Sequence, residues 1–300
     1  MTTVDVFAPA KINLTLHVTG QRADGYHLLD SLVTFASVGD RLEIKPGNAL
    51  SLTVEGPEAA GVPADMDNLA LRAAALVQQD GAALRLEKHL PSASGIGGGT
   101  ADAAAAWRGM VCLDDARADA LASAARDVLG QHLEVLSRLG ADVPMCVACK
   151  PVRARGIGDQ LDVVPLPTLY AVLVNPRLPV STPSVFKALS SKTNPPMPDS
   201  LPEFADAAAL IDWLGDMRND LEPPALTVQP AIADVLGVLA AQEGCGLARM
   251  SGSGATCFGL FETEAAAKEA ARGLYDAYPD WWVAGCVLAD QFNAALPKVS

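Results

Sequence analysis

The alternation of apolar and polar positions predicts a strand-rich beginning. Residues 4–8, 12–18, 28–37, 41–45 and 50–55 alternate or are rich in β-branched side chains, and each is expected to be a strand. The period then lengthens. Over 68–79 the apolar residues fall at helical spacing, with Leu69, Ala73, Leu76 and Val77 on one stripe and Asp67 or Asn68 as cap. Residues 83–88 return to strand alternation, and 101–110 form a helix with few breakers. Further helices are expected at about 117–129 and 132–139.

The second half reads as a strand at 169–174, helices at 183–189, 204–214 and 232–242, and short strands at 247–250 and 256–261. A helix at 263–278 and a last strand at 282–288 follow. The order β-α-β-β-α-β is a split βαβ pattern with extra helix in its first crossover. The expected class is therefore α+β, in two domains, 1–160 and 161–300, the second with a ferredoxin-like core. The polar, proline-rich stretch 190–202 reads as a mobile surface loop.

Composition narrows the chemistry. Half of the 300 residues are hydrophobic, ample for a core, and the formal net charge is −13. No lysine- or arginine-rich run appears, so no nucleic-acid partner is expected. No run of about 18 apolar residues suggests a membrane span, and nothing at the start resembles a signal peptide, so a cytoplasmic protein is expected. Cys146 and Cys149 form a C-x-x-C pair without the second pair or the histidines of a zinc site. A thiol-redox role for that pair stays open.

The sharpest motif joins the strand at 83–88 to the helix at 101–110. It reads Pro91-Ser92-Ala93-Ser94-Gly95-Ile96-Gly97-Gly98-Gly99-Thr100. Glycines let the backbone approach a ligand, and the free N–H groups of a helix N-terminus favour an anion. No lysine precedes Thr100, so this is not a Walker loop, and the sixth position from Gly95 is Thr100, so it is not a dinucleotide fingerprint. A third kind of phosphate loop is expected. In an acidic chain it must work through local amides, a few lysines and Mg²⁺.

Other residues could carry chemistry. Lys11 begins an apolar strand, where a fixed ammonium could stabilise a transferring phosphoryl group. Asp142 in Gly140-Ala141-Asp142-Val143-Pro144 is either a turn or helix cap, or a base for a substrate hydroxyl. Asp24-Gly25-Tyr26-His27 is either a plain hairpin turn or a seat for a flat ring. Ser251-Gly252-Ser253-Gly254 either connects strands or closes over the phosphates.

Taken in order, Pro9-Ala10-Lys11-Ile12-Asn13, then Pro91 to Thr100 with Ala101-Asp102-Ala103-Ala104, then Ser251-Gly252-Ser253-Gly254-Ala255 resemble the motifs of the GHMP kinases. That group takes its name from galactokinase, homoserine kinase, mevalonate kinase and phosphomevalonate kinase. The segments 11–16, 22–27, 140–144, 154–158 and 250–261 look like those of members whose acceptor alcohol is carried on a cytidine diphosphate.

The resemblance implies ATP as phosphoryl donor, wrapped by Pro91, Ser92, Ala93, Ser94, Gly95, Ile96, Gly97, Gly98, Gly99 and Thr100. It puts the Thr100 hydroxyl near Mg²⁺ or a phosphate oxygen, and Asn68 near the nucleotide. Asp142 would be the base, and Lys11 would steady it and polarise the hydroxyl. Tyr26 and His27 would hold the cytosine with Phe186 stacked on its other face, and Thr182 and Asn13 would also bind the substrate. A family glycine-rich stretch is replaced by Cys149-Lys150-Pro151-Val152-Arg153, which offers Lys150 and Arg153 to the diphosphate. The partner is a small molecule, and a monomer or weak homodimer is expected. Three rivals remain: a kinase of the same group for homoserine or mevalonate, a nucleotide binder without catalysis, and the thiol-redox protein.

Overall fold

A computed structural model describes residues 2–77, 81–113 and 133–300. Its strands are β1 (Val4–Asn13), β2 (His17–Gln21), β3 (His27–Pro46), β4 (Ser51–Glu55), β5 (Ala82–Glu87), β6 (Val152–Gly156), β7 (Gln160–Val163), β8 (Leu169–Asn175), β9 (Cys245–Met250), β10 (Cys257–Phe261), β11 (Trp282–Ala289) and β12 (Lys298–Val299). All belong to one mixed sheet, whose main path runs β12-β1-β3-β11-β8-β10-β9.

The expected strands 28–37 and 41–45 are one strand, β3, of 20 residues, and most of the expected 4–8 and 12–18 pair forms the single strand β1. The reason is an irregularity, not a turn. The β1–β3 register shifts between Pro9 and Lys11, where proline has no N–H to give to a ladder. At Gly39 a Cβ would lie 2.1 Å from the Ala8 carbonyl oxygen, so the backbones pass too closely for any side chain. The gap frees Ala36 to pair with Leu288, and β11 joins β3 there.

Helices α1 (Leu69–Val77) and α2 (Gly98–Leu113) pack on each other and on this part of the sheet. Helix α2 buries a run of alanines, and Gly109 lets Ile44 and Val6 close in where a Cβ would sit 2.5 Å from Ile44 Cδ1. Two short helices, α3 (Leu133–Ser137) and α4 (Val143–Ala148), lead into β6. The helix expected at 117–129 lies outside the described residues, and that at 132–139 is described as the shorter α3.

The later residues give α5 (Thr182–Lys187), α6 (Ala207–Gly215), α7 (Glu222–Val228), α8 (Ala231–Ala240), α9 (Glu264–Ala277) and α10 (Phe292–Ala295). Strands β11-β8-β10-β9 are all antiparallel. Counted along the chain this spatial order is fourth, first, third, second, the ferredoxin-like arrangement expected from the β-α-β-β-α-β order. Helices α7 and α10 and the strands β6, β7 and β12 were not foreseen, because they are short and lack a full period of either pattern.

The stretch 190–202 is a surface loop without regular secondary structure, as expected, and most of its residues are exposed, but it is anchored to the sheet. Asn194 N–H donates to the Val18 carbonyl at 3.0 Å, and Met197 is 1% exposed. Arg153 fixes the strap. It pairs with Asp30 (Nη2–Oδ2 2.7 Å) and donates to the Pro198 and Asp199 carbonyls at 2.8 and 2.9 Å, while Asp30 also accepts the Met197 N–H. Prolines and polar residues conceal this because the strap is held by its backbone carbonyls, which have no sequence signature.

Removing one member of a buried ion pair leaves its partner's charge uncompensated, at a cost of about 3–5 kcal/mol. The Arg153→Met protein is therefore expected to unfold at a clearly lower denaturant midpoint and to be cut by protease within 190–199. An unchanged midpoint and cleavage pattern would show that the strap does not depend on this pair.

Candidate active site

The glycine-rich loop is held at both ends. Asp40 Oδ1 accepts the N–H groups of His89 and Leu90 at 2.6 and 2.9 Å, just before Pro91. At the other end Ala101 N–H donates to Gly97 O at 2.8 Å, the first bond of α2. Between them Ala93, Gly95 and Gly97 take positive φ (49°, 77° and 68°). The N–H groups of the first helical turn have no intrahelical acceptor and so remain for an anion.

The second glycine turn lies directly on the first. Thr256 N–H donates to Ser94 O at 3.0 Å, and Ser251 Oγ donates to Gly95 O at 3.2 Å. A Cβ on Gly95 would lie 2.5 Å from Ser251 O, and one on Gly252 would lie 2.7 Å from Gly95 O. Asn219 Nδ2 holds this turn from behind through the Met250 and Gly252 carbonyls.

Lys11 enters beneath the loop because the β1 irregularity turns its N–H to Ile96 O, at 2.9 Å. Its stem lies against Gly97, where a Cβ would be 3.2 Å from Lys11 Cε. Its ammonium donates to Asn13 Oδ1 at 2.7 Å and pairs with Asp142 Oδ2 at 3.1 Å. Asn13 is fixed in turn: Nδ2 donates to Ser31 Oγ, and its N–H donates to Ser251 Oγ. Asp142 stands at the N-cap position of α4, but its side chain makes no capping bond. Of the two readings of Asp142, the side-chain cap fails: the carboxylate is turned to the lysine instead.

These groups open onto a cavity of about 860 Å³. Its lining includes Lys11, Asn13, Tyr26, His27, Ala93, Ser94, Gly95, Gly97, Gly98, Gly99, Thr100, Asp142, Thr182 and Phe186, all expected site residues. Gly252 and Ser253 close one side, and Thr182 Oγ1 is 2.7 Å from Ser253 Oγ. Among the described residues the charged lining comprises one cation, Lys11, against two carboxylates, Asp24 and Asp142. Thr100 Oγ1, beside the cavity, donates to Gly97 O at 2.8 Å.

Four expected site residues do not line it. Ile96 is fully buried in the apolar core, Pro91 is buried, and Ser92 is exposed away from the cavity lining. Asn68 is committed elsewhere: Oδ1 accepts Ala70 N–H as the cap of α1, and Nδ2 donates to Pro63 O. Nor do the two cations offered to a diphosphate reach the cavity. Arg153 is buried with Asp30, and Lys150 sits 5.0 Å above the Phe292 ring.

The aromatic end differs in detail from the expectation. His27 stacks on Phe186 at 4.6 Å with planes 22° apart, so the imidazole itself covers one Phe186 face. Tyr26 is 63% exposed and stands free beside them. Burial, with the Lys192 ammonium, holds the His27 pKa below that of free imidazole. The neutral ring can both donate and accept a hydrogen bond.

The thiol-redox reading fails on burial. Cys146 and Cys149 are buried and carry no disulfide, and desolvation raises both thiols, Cys146 well above its ordinary range. Cys146 Sγ donates to Thr100 Oγ1 at 3.7 Å, and Cys149 Sγ to Cys146 O. They pack under α2 and α4. Residues missed from sequence include Ser31 and Ile157. Only Ile157 had a signal, its place in Ala154-Arg155-Gly156-Ile157-Gly158 beside the cavity.

Comparison with known proteins agrees with this geometry. The family model described as GHMP kinases N terminal domain matches residues 68–150, and GHMP kinases C terminal matches 200–280. A 4-diphosphocytidyl-2-C-methyl-D-erythritol kinase of Roseobacter denitrificans is 53% identical over 99% of this chain and 97% of its own. One from Dinoroseobacter shibae is 56% identical over 94% of each. A crystal structure of 4-(cytidine 5'-diphospho)-2C-methyl-D-erythritol kinase superposes with a TM-score of 0.75 at 33% identity, covering 95% of this chain and 99% of that one. Homoserine kinase from Cytophaga hutchinsonii, at 18% identity over 99% of this chain and 97% of that one (TM-score 0.60), shares the fold.

The interlocked turns give a direct test. At Gly95 an alanine meets backbone atoms at 2.5–2.8 Å with φ +77°, neither of which can give way cheaply. Gly95→Ala is expected to lower the unfolding temperature and abolish nucleotide binding, read by calorimetry. A Gly95→Ala protein with native stability and native nucleotide affinity would contradict the described contact.

Proposed function

The chain belongs to the 4-diphosphocytidyl-2-C-methyl-D-erythritol kinases, a branch of the GHMP kinases, and on that footing we propose how its cavity carries out the transfer. ATP is the donor this family uses. The acceptor is a hydroxyl of 4-diphosphocytidyl-2-C-methyl-D-erythritol. One observation carries the assignment of roles: the 3.1 Å Lys11–Asp142 pair lies in one cavity with a double glycine turn and an aromatic cluster.

The hydroxyl oxygen bonds to the γ-phosphorus as the bond from that phosphorus to the bridging oxygen breaks, and ADP leaves. Asp142 accepts or orients the hydroxyl proton, for which a carboxylate free of capping duty is suited. Lys11 pairs with Asp142 and offsets charge on the phosphoryl group. Asn13 fixes the ammonium, and the two glycine turns hold the leaving phosphates by backbone N–H groups.

A lining with one cation against two carboxylates has no net positive charge for a triphosphate and a diphosphate together. Among the described residues no group of three or more His, Cys, Asp or Glu could cage an ion. Both facts fit Mg²⁺ carried on the nucleotide's phosphates, with the Thr100 hydroxyl as the protein group beside it. When bound, the ion would neutralise phosphate charge.

Tyr26, His27 and Phe186 form the cytosine end. The free Tyr26 ring and the exposed face of Phe186 offer stacking, and neutral His27 offers a donor and an acceptor for the base edge. This cluster favours a cytidyl substrate over a small acid such as homoserine or mevalonate. We also read the chain as two domains. Hairpin β6–β7 keeps residues 152–163 with the first half, so the boundary proposed near residue 160 is better set in 164–168. Among the described residues no helix is long and apolar enough to cross a membrane. The six cysteines form no disulfide, which suits a reducing cytoplasm.

An Asp142→Asn protein is expected to keep its unfolding temperature and lose two to four decades of kcat, about the range for a general base. Turnover near that of the native enzyme would exclude Asp142 as base. Alanine at Tyr26 is expected to raise KM for the cytidyl substrate about tenfold or more while KM for ATP changes little. Equal effects on both substrates would move the cytosine elsewhere.

A further inference from the structure

A second charged cluster lies beneath the phosphate loop, outside the cavity. Lys88 follows β5, Asp40 lies on β3, and Asp102 is in the second turn of α2. They are 3%, 0% and 3% exposed. The Lys88 ammonium donates to Asp40 Oδ2 and, at 2.7 Å, to Asp102 Oδ2. Asp40 spends its other oxygen on the N–H groups of His89 and Leu90, at the start of the loop. Asp102 is anchored in the helix that begins where the loop ends. A Cβ on Gly98 would lie 3.6 Å from Lys88 Nζ and 3.9 Å from Asp40 Oδ2, so this cluster sits directly under the helix N-terminus.

Stability alone does not account for this choice. Well-packed apolar residues of similar volume generally replace a buried ionic cluster at no loss, or with a gain, in stability. The arrangement also leaves Asp102 Oδ1 buried without a hydrogen-bond partner. What the cluster does that apolar packing could not is fix a distance. One ammonium joins the strand end, where the loop begins, to the helix, where it ends. Three of the loop's residues have positive φ, and its N–H groups must converge on a phosphate.

We propose that Lys88, Asp40 and Asp102 are positioning residues for the nucleotide: a brace that sets the span between the two ends of the phosphate loop, and with it the affinity for ATP. The proposal rests on the kinase reading of the cavity. It predicts a loss confined to the nucleotide, because the brace touches neither the Lys11–Asp142 pair nor the aromatic cluster.

The sharpest variant is Asp102→Ala. It cuts the tie to α2 and leaves a balanced Lys88–Asp40 pair. Calorimetry with a non-hydrolysable ATP analogue is expected to give a Kd raised about tenfold or more, with KM for ATP raised in parallel. The KM for the cytidyl substrate should stay within about twofold. Asp102→Asn, whose amide oxygen still accepts from Lys88, should recover most of the loss. A folded Asp102→Ala protein with native nucleotide affinity, or with equal losses on both substrates, would overturn the brace. If Asp102→Ala does not fold, the neutral triple Lys88→Met, Asp40→Asn and Asp102→Leu serves instead, because it removes the ammonium and both carboxylates together and keeps an amide oxygen at position 40 for the His89 and Leu90 N–H groups. The same nucleotide-specific loss in that protein supports the brace, and native affinity refutes it. Failure of the unmodified enzyme to bind the analogue would be a different result, counting against the kinase reading itself.

Discussion

Everything at the site depends on the backbone contact between two glycine turns. The first lies between β5 and α2, the second between β9 and β10, and they meet at separations no Cβ would permit. The contact is made by carbonyls and N–H groups, with the Ser251 side chain donating across the seam. Such an interface buries polar backbone, which is tolerable because its groups find partners: Thr256 N–H and Ser251 Oγ donate across the seam, and Gly254 N–H donates to Ser251 O within the second turn. Asn219 satisfies the carbonyls of the second turn that the first turn cannot reach. The result is one rigid wall of amides assembled from segments about 150 residues apart.

The catalytic pair is located by a different device. A proline and a register shift in β1 turn the Lys11 N–H out of the sheet and onto the loop. That single bond ties the strand carrying the ammonium to the loop that would carry the phosphates. Serine and asparagine side chains then fix the ammonium's direction, through Asn13 to Ser31 and Ser251. Asp142 reaches the same point from α4, a helix whose proline at the start leaves little need for a side-chain cap.

The protein's acidity makes this economy necessary. With a net charge of −13, the surface repels anions, and the cavity adds a single lysine. Attraction must come from short-range sources: N–H groups at a helix N-terminus and a lysine kept at its post. The arginine that looked available, Arg153, is spent on holding the 190–202 strap, and Lys150 on an aromatic ring. A cation's position in the sequence near a motif does not say where its charge is used.

The sequence by itself determined the local chemistry. A strand, a glycine run and a helix in succession specify an anion site, because φ freedom and free amides are properties of the residues there. The β-α-β-β-α-β order specified the ferredoxin-like half for the same reason, since period and turn residues are local. Only the tertiary structure decided which residues meet. It joined β1 and β3 across positions that read as turns, because a bulge and a glycine at close approach look like breaks along one strand. It buried Ile96 and made the strap out of a stretch whose anchors are backbone carbonyls. It brought Lys88, Asp40 and Asp102 together from three elements. Contacts of that kind depend on how strands register and helices pack, and no window of neighbouring residues contains that information.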